Sequence, residues 1–163
     1  MAIALYRIDD RLIHGQVVVG WGTPLNAGAI VVVDDALAES DWEQDLYRMG
    51  VPPHIEVAFV SVSGVPTMHA KYAADKRPTI VLTGDAATML RLADTIPHAV
   101  REVNVGGIHH RPGRVQKLRY VFLTGDEEHT LRDLASRGVA VTAQDVPSAR
   151  PVPLADILAG TQC

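Results

Sequence analysis

Arg7-Ile8-Asp9-Asp10-Arg11-Leu12-Ile13-His14-Gly15-Gln16-Val17 crowds two acids, two arginines and a histidine into one short stretch. It runs from an expected first strand, Ile3 to Ile8, into an expected first helix beginning near Gly15. In an open α/β sheet, such a turn at the carboxyl end of a strand is where ligands are usually held. The reading of this stretch therefore sets the frame for the rest of the chain.

Outward from it, Val17, Val18, Trp21 and Leu25 share one helical face, with Gly22 and Pro24 weakening the end. Ala29 to Val33 is a β-branched run stopped by Asp34-Asp35, as expected for a strand buried on both faces. Ser40-x-x-Glu43 has the spacing of a capping box, opening a helix with Trp42, Leu46 and Met49 facing inward and Gly50 and Pro52-Pro53 closing it. Ile55 to Val60 is the third strand. The helix after it starts near Val65, with Pro66 in its first turn and Met68 and Tyr72 on one side. Thr79 to Leu82 is the fourth strand, and Asp85 caps a helix carrying Met89, Leu92, Ala93 and Ile96. Arg101 to Val105 ends at Gly106-Gly107, before a polar hairpin or loop, Ile108 to Lys117. Tyr120 to Leu123 and Val139 to Thr142 are two more strands around a helix with Leu131, Leu134 and Ala135, and Gly138 suits its C-cap. Pro147 to Pro153 is an extended tail before a short apolar segment, Leu154 to Leu158. The strand–helix alternation repeats about six times, which predicts an α/β class: a single-domain, open, mostly parallel sheet with helices on both faces. The strand order is not legible at this level.

The 163 residues match one domain, and the 47% hydrophobic and 21% charged fractions are those of a soluble globular protein. A net charge of -4 gives no reason to expect nucleic acid as a partner. The only cysteine, Cys163, excludes a disulfide framework or a cysteine zinc site within one chain. Charge arrives at Arg7, Asp9 and Asp10, so the start lacks the apolar core of a signal peptide, and no apolar run approaches the roughly 20 residues of a membrane span. A cytoplasmic protein is expected.

The chemistry centres on His14. A neutral imidazole offers one unprotonated nitrogen and is a usable nucleophile without strong activation. Phosphoryl transfer asks for positioning and for donors around the equatorial oxygens. Arg11 supplies a forked, permanent cation, and Gly15 and Gln16 at a helix start have backbone N–H groups free to meet an anion. Asp9 either orients the non-reacting ring nitrogen or holds Arg11. On spacing alone, a partly buried structural histidine beside an Asp9–Arg11 ion pair fits as well.

Taken whole, the stretch from Arg7 to Val17 resembles the phosphorylation-site motif of the enzyme IIB subunits of the bacterial sugar phosphotransferase system, mannose/fructose/sorbose family. Val31-Val32-Val33-Asp34-Asp35, Pro52-Pro53, Val103-Asn104-Val105-Gly106-Gly107 and Gln144-Asp145-Val146-Pro147 follow in that family's order and at about its spacing, over roughly residues 2 to 155. The resemblance implies one IIB domain over residues 1–163, a protein-N-phosphohistidine–sugar phosphotransferase component. It would take a phosphoryl group from a histidine on a IIA phosphodonor protein, hold it on His14 and pass it to a sugar bound by the membrane subunits IIC and IID. Arg11 matches the phosphate-stabilising arginine and Asp9 the motif's aspartate, and no metal or organic cofactor is implied. Where the family often has threonine and a basic residue before the tryptophan, this chain has Val19 and Gly20 before Trp21. Several members of that family show a phenylalanine-rich or lysine-bearing segment after the fourth strand, where this chain has Thr83-Gly84-Asp85. The alternative is thus an orphan regulatory phosphoacceptor that signals phosphorylation state without sugar transfer. A binding domain that is never phosphorylated is a distant third. Whether the chain forms a homo-oligomer is left open.

Asp34, Asp35, Thr83 to Asp85 and Gly106-Gly107 follow expected strands and are candidate walls of the site, although capping roles are favoured for Asp34 and Asp85. In His109-His110-Arg111-Pro112-Gly113-Arg114, adjacent histidines of an extended chain point apart, which disfavours a metal site. A basic loop at the site edge is the preferred reading, with a solvated loop favoured for His110. Met68 and Met89, like Trp42 and Met49, are assigned to the core.

Overall fold

A β-branched run that fills both sides of a strand has to be covered on both sides. Ala29, Val31 and Val33 lie in one apolar cluster while Ile30 and Val32 lie in another, and all five are buried. Because successive side chains of a strand alternate, these clusters mark the two faces of a sheet. The structure is a computed structural model that describes residues 3–160; Cys163 lies outside them.

The strands are β1 (Ile3–Ile8), β2 (Ala29–Val33), β3 (Glu56–Val60), β4 (Thr79–Thr83), β5 (Glu102–Val105), β6 (Val115–Leu118), β7 (Val121–Leu123), β8 (Ala140–Ala143) and β9 (Val152–Pro153). Among the described residues they form a seven-stranded sheet in the order β3-β2-β4-β1-β5-β8-β9, parallel except for the short edge strand β9. A π turn, Gln16–Trp21, runs into α1 (Gly22–Leu25). The other α-helices are α2 (Asp41–Met49), α3 (Val65–Ala74), α4 (Ala86–Thr95), α5 (Gly125–Ser136) and α6 (Leu154–Ala159). Helices α3 to α6 contribute Met68, Tyr72, Met89, Leu92, Leu131, Leu134 and Ile157 to one face, whereas Val17, Val18, Trp21 and the half-buried Tyr47 of α2 cover the other. The α/β class and the mostly parallel sheet with helices on both faces are as the alternation predicts.

The topology places the crevice. From β1 the chain leaves toward the π turn on one face. Its two neighbours, β4 and β5, continue toward α4 and α5 on the opposite face. At such a switch point the loops diverge and leave a gap at the strand ends.

Three expectations need correction. Val121–Leu123 does not join the main sheet; it pairs antiparallel with β6 in a separate ribbon. Only Arg119 and Tyr120 separate the two strands, and a hairpin of that length needs no crossover helix. Trp42, Leu46 and Met49 are 68%, 57% and 83% exposed rather than core. The Gln44 side chain donates to the Leu37 carbonyl at 2.7 Å and Tyr47 packs on Phe59, and these contacts turn the apolar stripe outward. Ser40 precedes α2 without a side-chain cap. The reciprocal capping box forms instead at Thr124 and Glu127, opening α5. Ala135 on that helix is exposed, while Gly138 takes the left-handed conformation (φ +83°) expected just past its end.

Candidate functional site

The strand pairing continues for two residues beyond β1. Asp9 N–H donates to the Thr83 carbonyl and Asp10 N–H to that of Gly107, both at 2.9 Å, so both acids sit in fixed places at the sheet edge. The chain then reverses. Leu12 N–H closes a turn on the Asp9 carbonyl, and Leu12 adopts φ +57°, a left-handed conformation that costs a non-glycine residue roughly 1–2 kcal/mol. Its buried side chain, packed in the cluster beneath the π turn, holds it there. This reversal returns His14 to the end of its own strand. The His14 carbonyl then accepts from both Val17 and Val18 N–H groups, which opens the π turn.

The His14 ring is 16% exposed, and its buried Nε2 lies 3.2 Å from Asp9 Oδ2 without a well-aligned hydrogen bond. Nε2 is thus closed off by Asp9, and Nδ1 is the ring nitrogen that no protein group engages among the described residues. Asp9 is fully buried; besides His14 it meets Arg7 Nη2 at 3.2 Å and accepts from the Arg11 backbone N–H at 3.2 Å. The Arg11 Nε comes only to 4.0 Å. Burial alone would raise the Asp9 carboxyl, but His14, Arg7 and the Arg11 amide together hold it below the usual carboxylate range. Of the two roles considered for Asp9, facing the imidazole is thus the closer contact.

Arg11 is half exposed, and its Nη2 donates to Gln16 Oε1 at 3.1 Å. Gln16 in turn donates to Asp145 Oδ1 at 2.7 Å, tying the turn to the loop after β8. Among the described residues the Gly15 and Gln16 backbone N–H groups have no acceptor. A side chain at Gly15 would meet nothing within 4 Å, so packing does not demand a glycine there. The structure brings Asp9, Arg11, His14, Gly15 and Gln16 together. Gly107 joins them: a Cβ on it would lie 3.6 Å from Asp9 Oδ1 and 3.8 Å from Arg11 Nη2.

Asp34, Asp35, Asp85 and His110 do not join, whereas His109 lies at the site's edge across Gly107. Asp34 accepts from Leu37 N–H, Asp35 holds Val62 N–H and Arg91, and Asp85 caps α4 through Thr88 N–H. His109 pairs with Asp10, whereas His110 stands edge-on to Phe122. Among the described residues no group of three or more His, Cys, Asp or Glu side chains could hold a metal ion, and no helix is long and apolar enough to cross a membrane.

The residue that sequence reasoning missed is Arg7. It is fully buried, with its guanidinium 5.0 Å from the centre of the Trp21 ring. It donates to the Asn104 side chain, to the Gln144 and Asp145 carbonyls at 2.8 and 3.3 Å, and to Asp9. A Cβ on Gly106 would overlap this guanidinium, so that glycine is its clearance. Burial pulls the Arg7 pKa down from its ordinary value, and Asp9 partly offsets this. The available signal was an arginine at a position where strand alternation demands an inward-facing residue.

The turn thus gathers an imidazole backed by a buried carboxylate, a half-exposed guanidinium and two unpaired amides, a set able to receive an anion, while Arg7 holds Asp9. The family model for the PTS system sorbose subfamily IIB component matches residues 3–163. The PTS system sorbose-specific EIIB component of Klebsiella pneumoniae is 33% identical over 159 residues, covering 96% of this chain and 94% of that protein. The N-acetylgalactosamine-specific phosphotransferase enzyme IIB component 1 of Escherichia coli is 32% identical over 146 residues, 89% of this chain and 91% of that protein. Among solved structures, the IIBSor domain of the sorbose permease from Klebsiella pneumoniae superposes with a TM-score of 0.87 at 28% identity, covering 99% of this chain and 98% of that one.

Proposed function

The chain belongs to the sorbose-subfamily IIB components of the phosphotransferase system, phosphotransferases that transfer phosphoryl groups to sugar, and we propose that His14 is its phosphoacceptor. In this reading the protein is a cytoplasmic phosphocarrier, charged by a IIA phosphohistidine and discharged to a sugar held by IIC and IID membrane subunits. The observation that carries it is one ring's place: His14 Nε2 faces a buried carboxylate, in a turn that also holds the half-exposed Arg11 and the unpaired Gly15 and Gln16 amides. The Nδ1 lone pair attacks phosphorus as the donor's N–P bond breaks, and that bond's electron pair returns to the donor imidazole. Positive charge developing on the His14 ring is met by Asp9 through Nε2. Negative charge on the equatorial oxygens is met by Arg11 and the Gly15 and Gln16 amides. Arg7 does not touch the group; it holds Asp9, and Asn104 holds Arg7.

The test is incubation with phosphoenolpyruvate, enzyme I, HPr and a IIA protein, followed by intact-mass measurement. Wild type should gain one phosphoryl group and His14→Ala none. Arg11→Ala should slow uptake about a hundredfold with the fold kept, since a charge-assisted contact to the transferring group is lost. A His14→Ala protein labelled as fast as wild type would sink the assignment. Val19, 64% exposed where relatives of this type often have threonine, and the uncharged Gly20 favour a second reading, a regulatory phosphoacceptor. Adding IIC, IID and candidate sugars to the phosphorylated protein separates the two, because only the transport reading predicts discharge.

A further inference from the structure

The segment after β5 turns back over the site. Gly106 N–H donates to the Ile8 carbonyl and the Gly107 carbonyl accepts from Asp10, so two residues without side chains pass close across the end of β1. Ile108 is then pinned by hydrogen bonds to Tyr120 and Phe122 in the ribbon. His109 follows a fixed residue and is itself held three ways. Its N–H donates to Asp10 Oδ2 at 2.7 Å, its carbonyl accepts from Arg114 Nη1 at 2.8 Å, and its Nδ1 lies 2.6 Å from Asp10 Oδ1. Arg114 is anchored in turn by two bonds to Glu127, at 2.9 and 2.7 Å, the residue that completes the cap of α5.

That is much constraint for a side chain 53% exposed. With His109 half in water, solvent screens the pair and it contributes little to stability. Its effect is orientation: with Nδ1 committed to Asp10, the ring's remaining edge is the one carrying Cε1 and Nε2. The place that a Gly107 side chain would occupy is 3.1 Å from His109 Cε1, 3.6 Å from Asp9 Oδ1 and 3.8 Å from Arg11 Nη2. The missing side chain thus leaves a space shared by His109, by Arg11 and by the carboxylate that faces His14. Charge-assisted donors sit about 2.7–2.9 Å from an oxygen, so the oxygens of one phosphoryl group can reach both sides of that space.

We propose that His109, oriented by Asp10, is a second imidazole of the phosphoryl site and donates from Nε2 to the group transferred to His14. The inference rests on the reading of His14 as phosphoacceptor. The charged groups facing His109 are Asp10 and Arg114 directly, Asp9 and Arg11 across Gly107, and Glu127 behind Arg114. When Nδ1–H is given to Asp10, the neutral ring has only a lone pair at Nε2; protonation turns it into a donor.

Two substitutions dissect the ring. An asparagine amide reproduces Nδ1 and keeps the Asp10 bond but has nothing at Nε2; a glutamine amide reaches the Nε2 position. Uptake from the phosphoenolpyruvate cascade is timed for the full chain. Circular dichroism confirms the fold. His109→Asn should be slowed roughly tenfold. His109→Gln should stay within a few-fold of wild type. If wild type is labelled at His14 and His109→Asn matches it, the His109 assignment falls and the His14 reading stands. If His14→Ala takes up phosphate like wild type, both fall.

Discussion

One row of side chains crosses the sheet on the face beneath the π turn, and it changes character midway. Phe59, Val32 and Leu82 stand in register on β3, β2 and β4 and are apolar; Arg7, Asn104 and Thr142 continue the same row on β1, β5 and β8 and are polar. On the first half, Ile30, Val32, Ile80 and Leu82 are fully buried in one cluster with Val17 and Val18. On the second half the face opens into a groove of about 680 Å³ walled by Leu5, Trp21, Asn104, Thr142 and Gln144. Apolar burial is strong and non-directional, so the first half stabilises the fold without aiming anything. Hydrogen bonds and ion pairs are directional and contribute little net stability, so the second half spends its burial on holding Asp9 under His14.

The comparison can be broken hardest at Arg7. Arg7→Met leaves the Asp9 carboxylate buried without its guanidinium, and removing one partner of a buried pair typically costs about 3–5 kcal/mol. Chemical denaturation should show that loss together with slowed phosphorylation. The double variant Arg7→Met/Asp9→Leu, which makes the polar half resemble the apolar one, should regain most of the stability and none of the activity. A stable, fully active Arg7→Met protein would mean the network is dispensable.

Leu82→Ala, one place along the same row, should cost about 3 kcal/mol through cavity formation while the folded fraction is phosphorylated at the wild-type rate. A slowed rate per folded molecule would show that the two halves are mechanically coupled. A smaller effect separates them by pH. The Asp9 pKa is lowered from 3.8 in the fold, so its contribution to stability is complete above that value and is lost as pH falls through the folded pKa. Melting temperature below about pH 4 should therefore fall less steeply in Asp9→Asn than in wild type, whereas Leu82→Ala should keep the wild-type acid limb. Smallest of all, Met49→Gln on the outward stripe of α2 should change stability by less than about 0.5 kcal/mol, since that side chain is in water already.

The elements were legible wherever a short period carried the information. Ala29–Val33 and Thr79–Thr83 announce themselves by β-branching, the face of α4 by its 3.6-residue spacing, and Asp85 by its place before that helix. The stripe Trp42-Leu46-Met49 has an equally good period and points the other way. A period shows that a face exists, and the Gln44 and Tyr47 anchors decide which face turns inward. Likewise Ser40-x-x-Glu43 and Thr124-x-x-Glu127 carry the same spacing, and only the second closes into a capping box.

By itself the sequence determined the class of fold, the stretch that ends in His14, and the residues Asp9, Arg11, Gly15 and Gln16 gathered around it. All of these lie within a few residues of one another, where local geometry leaves little freedom. Only the tertiary structure decided what stands beneath and beside that turn: Arg7 bonded to Asn104 and Gln144, 97 and 137 residues away, and His109 locked to Asp10 across 99. The physical reason is the order of the strands. β1 lies between β4 and β5, a placement no local period encodes, and that neighbourhood brings distant polar groups to one edge of the sheet.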